Sequence, residues 1–537
     1  MKNLSIYRLK RLFNYATVLF SVCMVSPSCT ANFEKMNTDP NGVTDEELMQ
    51  DNNYIGMHFP LIEKSIYWNK SGNGWEFQLI QNLTSDVWSG YIASPTNFKG
   101  GINTQTYAIT NDWSDYAWHF AYTDVMPNQM KVSEKCEEMG YDSYGHFYAI
   151  NSILRVLAMH RVCDEYGPII YTHFGESKTG GIYDSAQQVY RCFFHELAEA
   201  NELLNYFITQ EEYASFEKFD LSLYHGDLTK WLRLSNSLRL RLAMRIVKYD
   251  EEWAREEAEE AIMAPGGLMR EGDIFQIEGG GWLHPLYTCS REFKDMFINA
   301  NVQSILGGYE DPRLARFGIM NDGRVVGMRS GVPGLENTSD KYKALVSPIN
   351  VEAASPGVIM TSAETYFLLA EAALRGWKAG GSAKEFYEDG IRTSFLEFGV
   401  PLGNYLESSR VPSAWEDPLV EVFNEPAASH ISPRWEDAKS DEERLEKIIT
   451  QKWIAGFPEG KNAWAEYRRT GYPKLFPVLK NDSQGEVSTL YGVRRLPFTT
   501  AERTNNKLGY AEAVEYLDGE DNAGTRLFWD INKGNFE

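Results

Sequence analysis

Basic residues are scarce in this sequence relative to acidic ones. There are 52 Lys and Arg residues against 75 Asp and Glu residues, and the formal net charge is -23. No basic tract offsets this charge locally. Proteins bind nucleic acids through clusters of Lys and Arg, so the composition excludes a nucleic-acid partner.

Cysteine is also rare, with six residues in a chain of 537. Four of them lie far from the N-terminus and far from one another: Cys136, Cys163, Cys192 and Cys289. They form no C-x-x-C pair and no other metal-ligand spacing, which predicts free, buried thiols and no metal site. One disulfide is the alternative if the protein resides in an oxidising compartment.

Sequence motifs of enzymes are missing or incomplete. His195-Glu196 lacks the second histidine of H-E-x-x-H, and residues 456–461 have one residue too few for a phosphate-binding P-loop. The glycine run at 279–281 lacks a strand-to-helix context, and no G-x-S-x-G is present. We therefore expect a protein without catalytic residues, cofactor or metal. The carboxylate pair of a glycoside hydrolase is defined by its separation, which a sequence does not show.

The N-terminus has the three parts of an export signal. Residues 1–11 are basic, residues 12–25 are mostly apolar but shorter than the about 20 residues that cross a bilayer, and Ser28-Cys29 follows. A cysteine after a small residue indicates lipoprotein processing, so we predict that residues 1–28 are removed and that Cys29 is acylated, with palmitate among its chains. Ordinary secretory cleavage with a free Cys29 is the alternative. Residues 29–43 are polar and turn-rich, which indicates a flexible tether.

Most of the remaining chain has the apolar spacing of amphipathic helices. In residues 444–473, Leu445, Ile448 and Trp453 recur on one face of a first helix, and Ala463, Trp464 and Tyr467 begin a second helix. Helices are predicted in the same way at 44–66, 75–88, 112–139, 146–162, 184–207, 227–248, 251–264, 362–376 and 383–398. Residues 362–398 have the spacing of a tetratricopeptide unit. The expected fold is mostly α: helical pairs form a curved scaffold with long irregular loops and a few small hairpins.

Three stretches interrupt this helical pattern. Residues 89–111 and 399–441 are loop-like, and residues 265–361 are dense in Gly and Pro, which predicts an irregular, loop-rich insertion within a body of residues 44–537. Within that insertion we expect a helix at 291–300 and a strand at 324–328. Loops of this length within a scaffold usually carry the function of the protein.

Four motifs resemble those of the SusD/RagB family, and they occur in the same order. They are FEKMNTDPN at 33–41, CDEYGPIIY at 163–171, WLRLSNSLRLRLAMRI at 231–246, and QKW, FPEG, AW and YRRTGYP between 451 and 473; RRLPFTTAERTNN at 494–506 adds a C-terminal match. The resemblance covers the whole mature chain. It implies a lipid-anchored protein of the outer membrane that faces the exterior, binds a nutrient, usually a glycan, and acts as the lid of a SusC-like TonB-dependent transporter.

Two other functions remain open at this point. A RagB-like protein would import peptides, and a lipid-anchored glycoside hydrolase would cleave its glycan in a deep cleft with two facing carboxylates. The four motif residues Trp453, Trp464, Arg468 and Arg469 are interpreted as structural, with the two arginines neutralised by nearby acids.

Candidate ligand-binding residues follow from the chemistry of sugars. A sugar ring has flat C–H faces and a rim of hydroxyls, so it is bound by an exposed aromatic ring with polar groups at its edge. In or beside the long loops, the candidates are Trp75, Trp88, Tyr91, Asn97, Trp282 and Tyr287. These are positional predictions, since the family motifs do not include the sugar contacts.

Overall fold

The computed structural model describes residues 50–67, 74–177, 180–278 and 283–537. The chain divides into two compact units, residues 1–54 and 55–537. Of the first unit, only residues 50–54 are described, and Gln50–Asn52 forms a 3-10 turn there. The predicted leader, the acylated Cys29, the tether at 29–43 and the helix start at Thr44 lie outside the described residues.

The second unit is mostly helical, which confirms the predicted fold class. The α-helices of the described chain are Asn53–Gly56, Phe59–Ile66, Gly74–Phe77, Asn111–Phe120, Met126–Met139, Tyr141–Tyr166, Ala186–Ile208, Leu228–Arg245, Glu251–Met263, Pro285–Tyr287, Ala300–Tyr309, Leu314–Phe317, Leu335–Leu345, Ser362–Leu374, Ala383–Glu397, Asp441–Gly456, Gly460–Thr470, Thr500–Asn505 and Lys507–Glu515. Short π-helical segments at Gln78–Asp86, Ala121–Val125 and Thr288–Glu292 continue some of these helices.

Consecutive helices pack as pairs, as the sequence predicts. Ser362–Leu374 packs on Ala383–Glu397, where a Cβ at Gly390 would lie 2.8 Å from the ring of Phe367. A side chain larger than hydrogen at this position would therefore separate the two helices. The second helix of the pair begins at a capping box, in which Ser382 and Glu385 satisfy each other's backbone N–H groups.

Two small antiparallel sheets lie between the helical pairs. Ile92–Ala93 pairs with Phe297–Ile298, and Phe275–Ile277 pairs with Gly357–Met360 through a bulge. The predicted helix at 291–300 is therefore wrong, because residues 297 and 298 join a strand that lies about 200 positions earlier in the chain. The helix starts instead at Ala300, after Asn299, whose side chain accepts from the N–H of Asn301 at 3.0 Å.

Two further local predictions are wrong. Residues 324–328 form no strand and make two isolated bridges, between Arg324 and Asn321 and between Met328 and Asn299. The sequence predicts Asp184 as the cap of the following helix, but Ser185 caps it, and the Asp184 carboxylate accepts from the backbone N–H groups of Tyr171 and Thr172. Met328 and Asp184 thus each bond to a backbone group more than ten residues away, and local residue spacing does not show such contacts.

The four cysteines of the described chain are free thiols. Cys136, Cys163 and Cys289 are buried, and Cys192 is half-buried. Burial raises the pKa of the Cys136 thiol to about 12, so it stays protonated at neutral pH. The prediction of free thiols is confirmed for these four residues. No helix in the described part of the chain has the length and apolar character needed to cross a membrane.

Candidate functional site

Two of the predicted site residues, Trp88 and Tyr91, are in the core. Trp88 is 7% exposed; its ring packs 4.8 Å from that of Trp464 and its Nε1 donates to the carbonyl of Thr104 at 3.0 Å. Tyr91 is fully buried and its hydroxyl donates to the carbonyl of Trp453. The cavity beside Tyr91 holds about 20 Å³, room for about one water molecule. The expectation that these two rings are exposed platforms is therefore wrong.

The other predicted site residues have different environments. Asn97 and Tyr287 are half-buried, and the side-chain oxygen of Asn97 has no hydrogen-bond partner in the described structure. Trp282 lies outside the described residues, as does Cys29. Trp75 is 43% exposed, so its ring is open to a ligand.

Trp75 belongs to a group of aromatic rings, which we call the aromatic platform and define as Trp75, Tyr116 and Phe120. Trp75 is exposed, and Tyr116 and Phe120 are half-buried. Trp75 meets Tyr116 edge to face, with ring centroids 5.7 Å apart, and Tyr116 lies 6.1 Å from Phe120. Tyr116 and Phe120 are four residues apart in the helix Asn111–Phe120, so their side chains lie on the same face. The same helix buries Trp118 on its opposite face and Trp113 beside Asp112. The platform is thus held by a helix that is anchored in the core.

A close contact fixes the position of Trp75. Gly74 lies against the short helix Pro285–Tyr287 and the residue after it, because a Cβ at Gly74 would be 2.5 Å from Thr288 Cγ2. The thiol of Cys289 donates to the Gly74 carbonyl at 3.1 Å. The turn that carries Trp75 therefore packs directly on the segment that carries Tyr287. Both residues were predicted as ligand contacts.

Polar groups surround the aromatic platform. The ammonium of Lys99 lies 2.9 Å from a carboxylate oxygen of Asp112, one helical turn before Tyr116. Gln78, one turn after Trp75, donates to Asp295 at 3.2 Å, and the Thr96 hydroxyl donates to the same carboxylate at 2.5 Å. The Lys99–Asp112 pair thus places a cation and a carboxylate one helical turn from Tyr116, which contacts the exposed ring of Trp75, an arrangement suited to the hydroxyl edge of a sugar.

Sequence reasoning missed Tyr116, Phe120, Lys99 and Asp112 as site residues. Asp112, Tyr116 and Phe120 recur every four residues, and this spacing is a signal that they share a helix face. Trp113 and Trp118 are on the buried side, and nothing in their residue type distinguishes them from Trp75. The position of Lys99 on this face depends on a loop whose path is not periodic.

The residues of the C-terminal motif are structural, as expected. The indole N–H groups of Trp453 and Trp464 donate to the carbonyls of Ser89 and Val493, at 2.8 Å and 3.1 Å. Arg469 is neutralised by two carboxylates, those of Glu371 and Glu466, both 2.7 Å from its Nη2. Arg468 differs from the expectation: it donates to the carbonyls of Asp164 and Arg494, and burial lowers its pKa to about 9.

Carboxyl groups with strongly raised pKa values lie away from the platform surface. Burial raises the pKa of Asp86 to about 7, but this carboxylate is fully buried and accepts from the side chains of Gln81 and Asn82. Burial likewise raises the pKa of Glu397 to about 7 while it accepts from the N–H of Ser362 at 2.9 Å. Among the described residues, no group of three His, Cys, Asp or Glu side chains is placed to hold a metal ion.

The chain matches one protein family over nearly its whole length. The family model described as SusD-like, Susd and RagB outer membrane lipoprotein, matches residues 35–530. No match is found among curated protein sequences.

Several solved structures are similar to this one. A chitin-binding SusD homologue from Flavobacterium johnsoniae has a TM-score of 0.85 and 40% identity, over 90% of this chain and 100% of that one. A SusD homologue from Bacteroides vulgatus has a TM-score of 0.85 and 35% identity, over 92% and 100%. A third, from Bacteroides uniformis, has a TM-score of 0.83 and 32% identity, over 89% and 99%.

Proposed function

This chain belongs to the SusD-like family of outer membrane lipoproteins, and from that membership we propose that it binds an oligosaccharide at the cell surface for uptake and does not cleave it. The observation that carries the proposal is the aromatic platform. Trp75 is exposed and meets the half-buried Tyr116 on a helix that is anchored in the core, and the Lys99–Asp112 ion pair lies one turn from Tyr116. Stacking a sugar on rings that are already fixed costs little conformational entropy.

The similar structure from Flavobacterium johnsoniae supports a choice of ligand. That protein is described as chitin-binding, and it is 40% identical to this chain. We therefore propose β-linked glycans, with chito-oligosaccharides first, as the cargo. A peptide cargo is less well supported, because Trp75 offers an exposed ring on which a sugar can stack.

Binding without catalysis is supported by the state of the nearby carboxylates. Asp112 is paired with Lys99, and Asp295 accepts from Gln78 and Thr96, so each carboxylate is engaged by donors of the protein itself. A glycoside hydrolase also needs a protonated carboxylic acid that faces the bond to be cleaved. The two carboxyl groups with a pKa of about 7, Asp86 and Glu397, donate no proton to the platform surface, since their oxygens point to core partners.

Replacing Trp75 with alanine tests the proposed binding site. We expect glycan affinity to fall about ten-fold to hundred-fold, because the sugar loses a stacked indole worth about 1.5–3 kcal/mol. Titration calorimetry with chitohexaose measures the effect, and chromatography of the same mixtures detects any cleavage. Tyr206→Ala, which removes an exposed ring on another helix, is the control and should bind as the wild type does. Unchanged affinity in Trp75→Ala, or cleavage of the hexaose, would contradict the proposal.

The anchor and the partner are proposed from the family resemblance. We propose that acylated Cys29 holds the protein on the outer membrane, facing the exterior, and that residues 29–43 let it act as a mobile lid on a SusC-like TonB-dependent transporter. Several acyl chains on one cysteine bind a bilayer far more firmly than one chain, at about 0.8 kcal/mol per buried CH₂. Co-purification of a large outer-membrane transporter with the wild-type protein would support the partnership.

Replacing Cys29 with serine tests the anchor. We expect the Cys29→Ser protein to move from the membrane fraction to the soluble fraction, because no acyl chain can be attached. Cys23→Ser is a matched control, since it changes the other leader cysteine and should leave the protein on the membrane. Membrane fractionation followed by immunoblotting measures both. Retention of Cys29→Ser on the membrane would show that another element anchors the chain.

A further inference from the structure

Lys99 has a backbone conformation that lysine rarely adopts. Its φ and ψ angles are 51° and 34°, in the left-handed region, where a residue with a Cβ is disfavoured. Gly100 and Gly101 follow with φ of 69° and 83°, angles that glycine adopts without steric cost. A strained residue of this kind persists where its side chain is needed at one place, and it is often found at a binding site.

The side chain of Lys99 is held at the edge of the aromatic platform. Its Nζ lies 2.9 Å and 3.2 Å from the two carboxylate oxygens of Asp112, and 5.3 Å from the centre of the Trp113 ring. The Lys99 and Asp112 side chains are 37% and 67% exposed. An ion pair this exposed contributes little to stability, so stability does not explain why lysine occupies the strained position.

Asp112 and the platform share one helix face. Asp112, Tyr116 and Phe120 are spaced by four residues in the helix Asn111–Phe120, so each side chain lies about one turn from the next. A sugar ring that stacks on Tyr116 therefore has its edge beside the ion pair. Trp75 contacts Tyr116 from the neighbouring turn and borders the same space.

We propose that Lys99 and Asp112 determine the specificity of this site by binding the C3 hydroxyl and the neighbouring C2 substituent of an uncharged sugar ring that lies against Tyr116 and Trp75. The proposal rests on the proposed glycan-binding function and assigns the residues that select the ligand. Polar atoms on adjacent ring carbons are separated by about the length of a hydrogen bond, as are the Lys99 ammonium and the Asp112 carboxylate. The C3 hydroxyl can donate to the carboxylate, and a C2 hydroxyl or the carbonyl of a C2 N-acetyl group can accept from the ammonium.

The charge of the site favours an uncharged ligand. Lys99 is balanced by Asp112, and Lys343, on a helix that contacts the turn Phe98–Gly101, lies 3.6 Å from the Asp295 carboxylate, so neither lysine is left without an acidic partner. The whole chain carries a net charge of -23. An acidic sugar would place its carboxylate beside Asp112 without an unpaired cation to neutralise it.

The test uses three uncharged β-1,4-linked hexaoses that differ in their hydroxyl pattern: chitohexaose, cellohexaose and mannohexaose. The variants are Lys99→Met, Lys99→Gly and Asp112→Asn, and the control is Lys378→Met, which breaks an exposed ion pair with Glu259 on another surface. For the hexaose that the wild type binds best, we expect Lys99→Met and Asp112→Asn to weaken binding about ten-fold, the loss of one charged hydrogen bond. The differences in affinity among the three hexaoses should also shrink.

Lys99→Gly separates a binding role from a structural one. Glycine relieves the left-handed backbone, so we expect its melting temperature to equal or exceed that of the wild type, while it binds the best hexaose as weakly as Lys99→Met does. One outcome is that the Lys99 and Asp112 variants keep the wild-type affinities and the wild-type order of the three hexaoses while Trp75→Ala loses binding. That result would contradict the role of Lys99 and Asp112 in specificity and would still support the glycan-binding function. If the wild-type protein binds none of the three hexaoses, both proposals are contradicted.

Discussion

The Trp88→Ala variant is expected to unfold with a free energy about 3–5 kcal/mol lower than the wild type, the usual cost of deleting a buried tryptophan side chain. Trp88 is almost fully buried against Trp464, and its indole N–H donates to the Thr104 carbonyl. The deletion leaves a cavity and an unsatisfied carbonyl in the core. Equilibrium unfolding in urea, followed by tryptophan fluorescence and circular dichroism, measures the change.

Trp75→Ala is the matched comparison, because it deletes the same side chain from the same helical segment. We expect its free energy of unfolding to change by less than about 1 kcal/mol, since the ring is partly solvated in the folded protein. The two variants should thus have opposite effects. Trp88→Ala should lose stability and keep its glycan affinity, whereas Trp75→Ala should keep its stability and lose glycan affinity. If Trp88→Ala keeps the wild-type stability and loses glycan affinity, Trp88 is a ligand contact and its assignment to the core is contradicted.

The Arg469→Ala variant is expected to lose about 3–5 kcal/mol of stability, because removing one partner leaves buried charges without compensation. Arg469 is fully buried and donates to both oxygens of Glu371, at 2.8 Å and 2.7 Å, as well as to Glu466. Arg392→Ala is the control: this arginine pairs with Glu388 and Asp389 on the surface, and its loss should cost no more than about 0.5 kcal/mol. Urea unfolding at pH 7 compares the two variants.

The stability lost in Arg469→Ala should depend on pH, which provides a second measurement. Burial alone would raise the pKa of Glu371, but the guanidinium groups of Arg469 and Arg375 outweigh burial and lower it to about 2. A carboxyl with a lowered pKa stabilises the fold above its unfolded pKa of about 4.5, and this contribution is lost as the pH falls toward 2. The stability difference between wild type and Arg469→Ala should therefore be largest above pH 4.5 and shrink below it. A difference that is constant with pH would contradict the assigned pairing.

The helices could be predicted from the sequence because their signals are local. In Leu228–Arg245 the apolar residues recur every three or four positions, and Asp227 caps the first turn by accepting from Thr229 and Lys230. The pair Asp441–Gly456 and Gly460–Thr470 is separated where Pro458 and Gly460 predict a break. These features depend on neighbours within a few residues, so the sequence shows them without knowledge of the tertiary contacts.

The strands and the exposed rings could not be predicted because they depend on distant partners. Phe297 and Ile298 become a strand only because Ile92 and Ala93 lie beside them. Trp75 and Trp88 stand at the two ends of one predicted helix, and a π-helical segment at Gln78–Asp86 separates them. Which of the two rings faces solvent is decided by the packing of Thr288 on Gly74 and of Trp464 on Trp88.

The free thiols have a practical consequence for how the protein can be handled. In the described part of the chain, no covalent bridge joins Cys136, Cys163, Cys192 and Cys289, so packing and buried ion pairs hold that part together. Dithiothreitol should therefore leave the melting curve unchanged, and refolding should need neither an oxidant nor a disulfide isomerase. A maleimide dye should attach first at Cys192, the least buried of the four, and label the folded protein on the helix Ala186–Ile208.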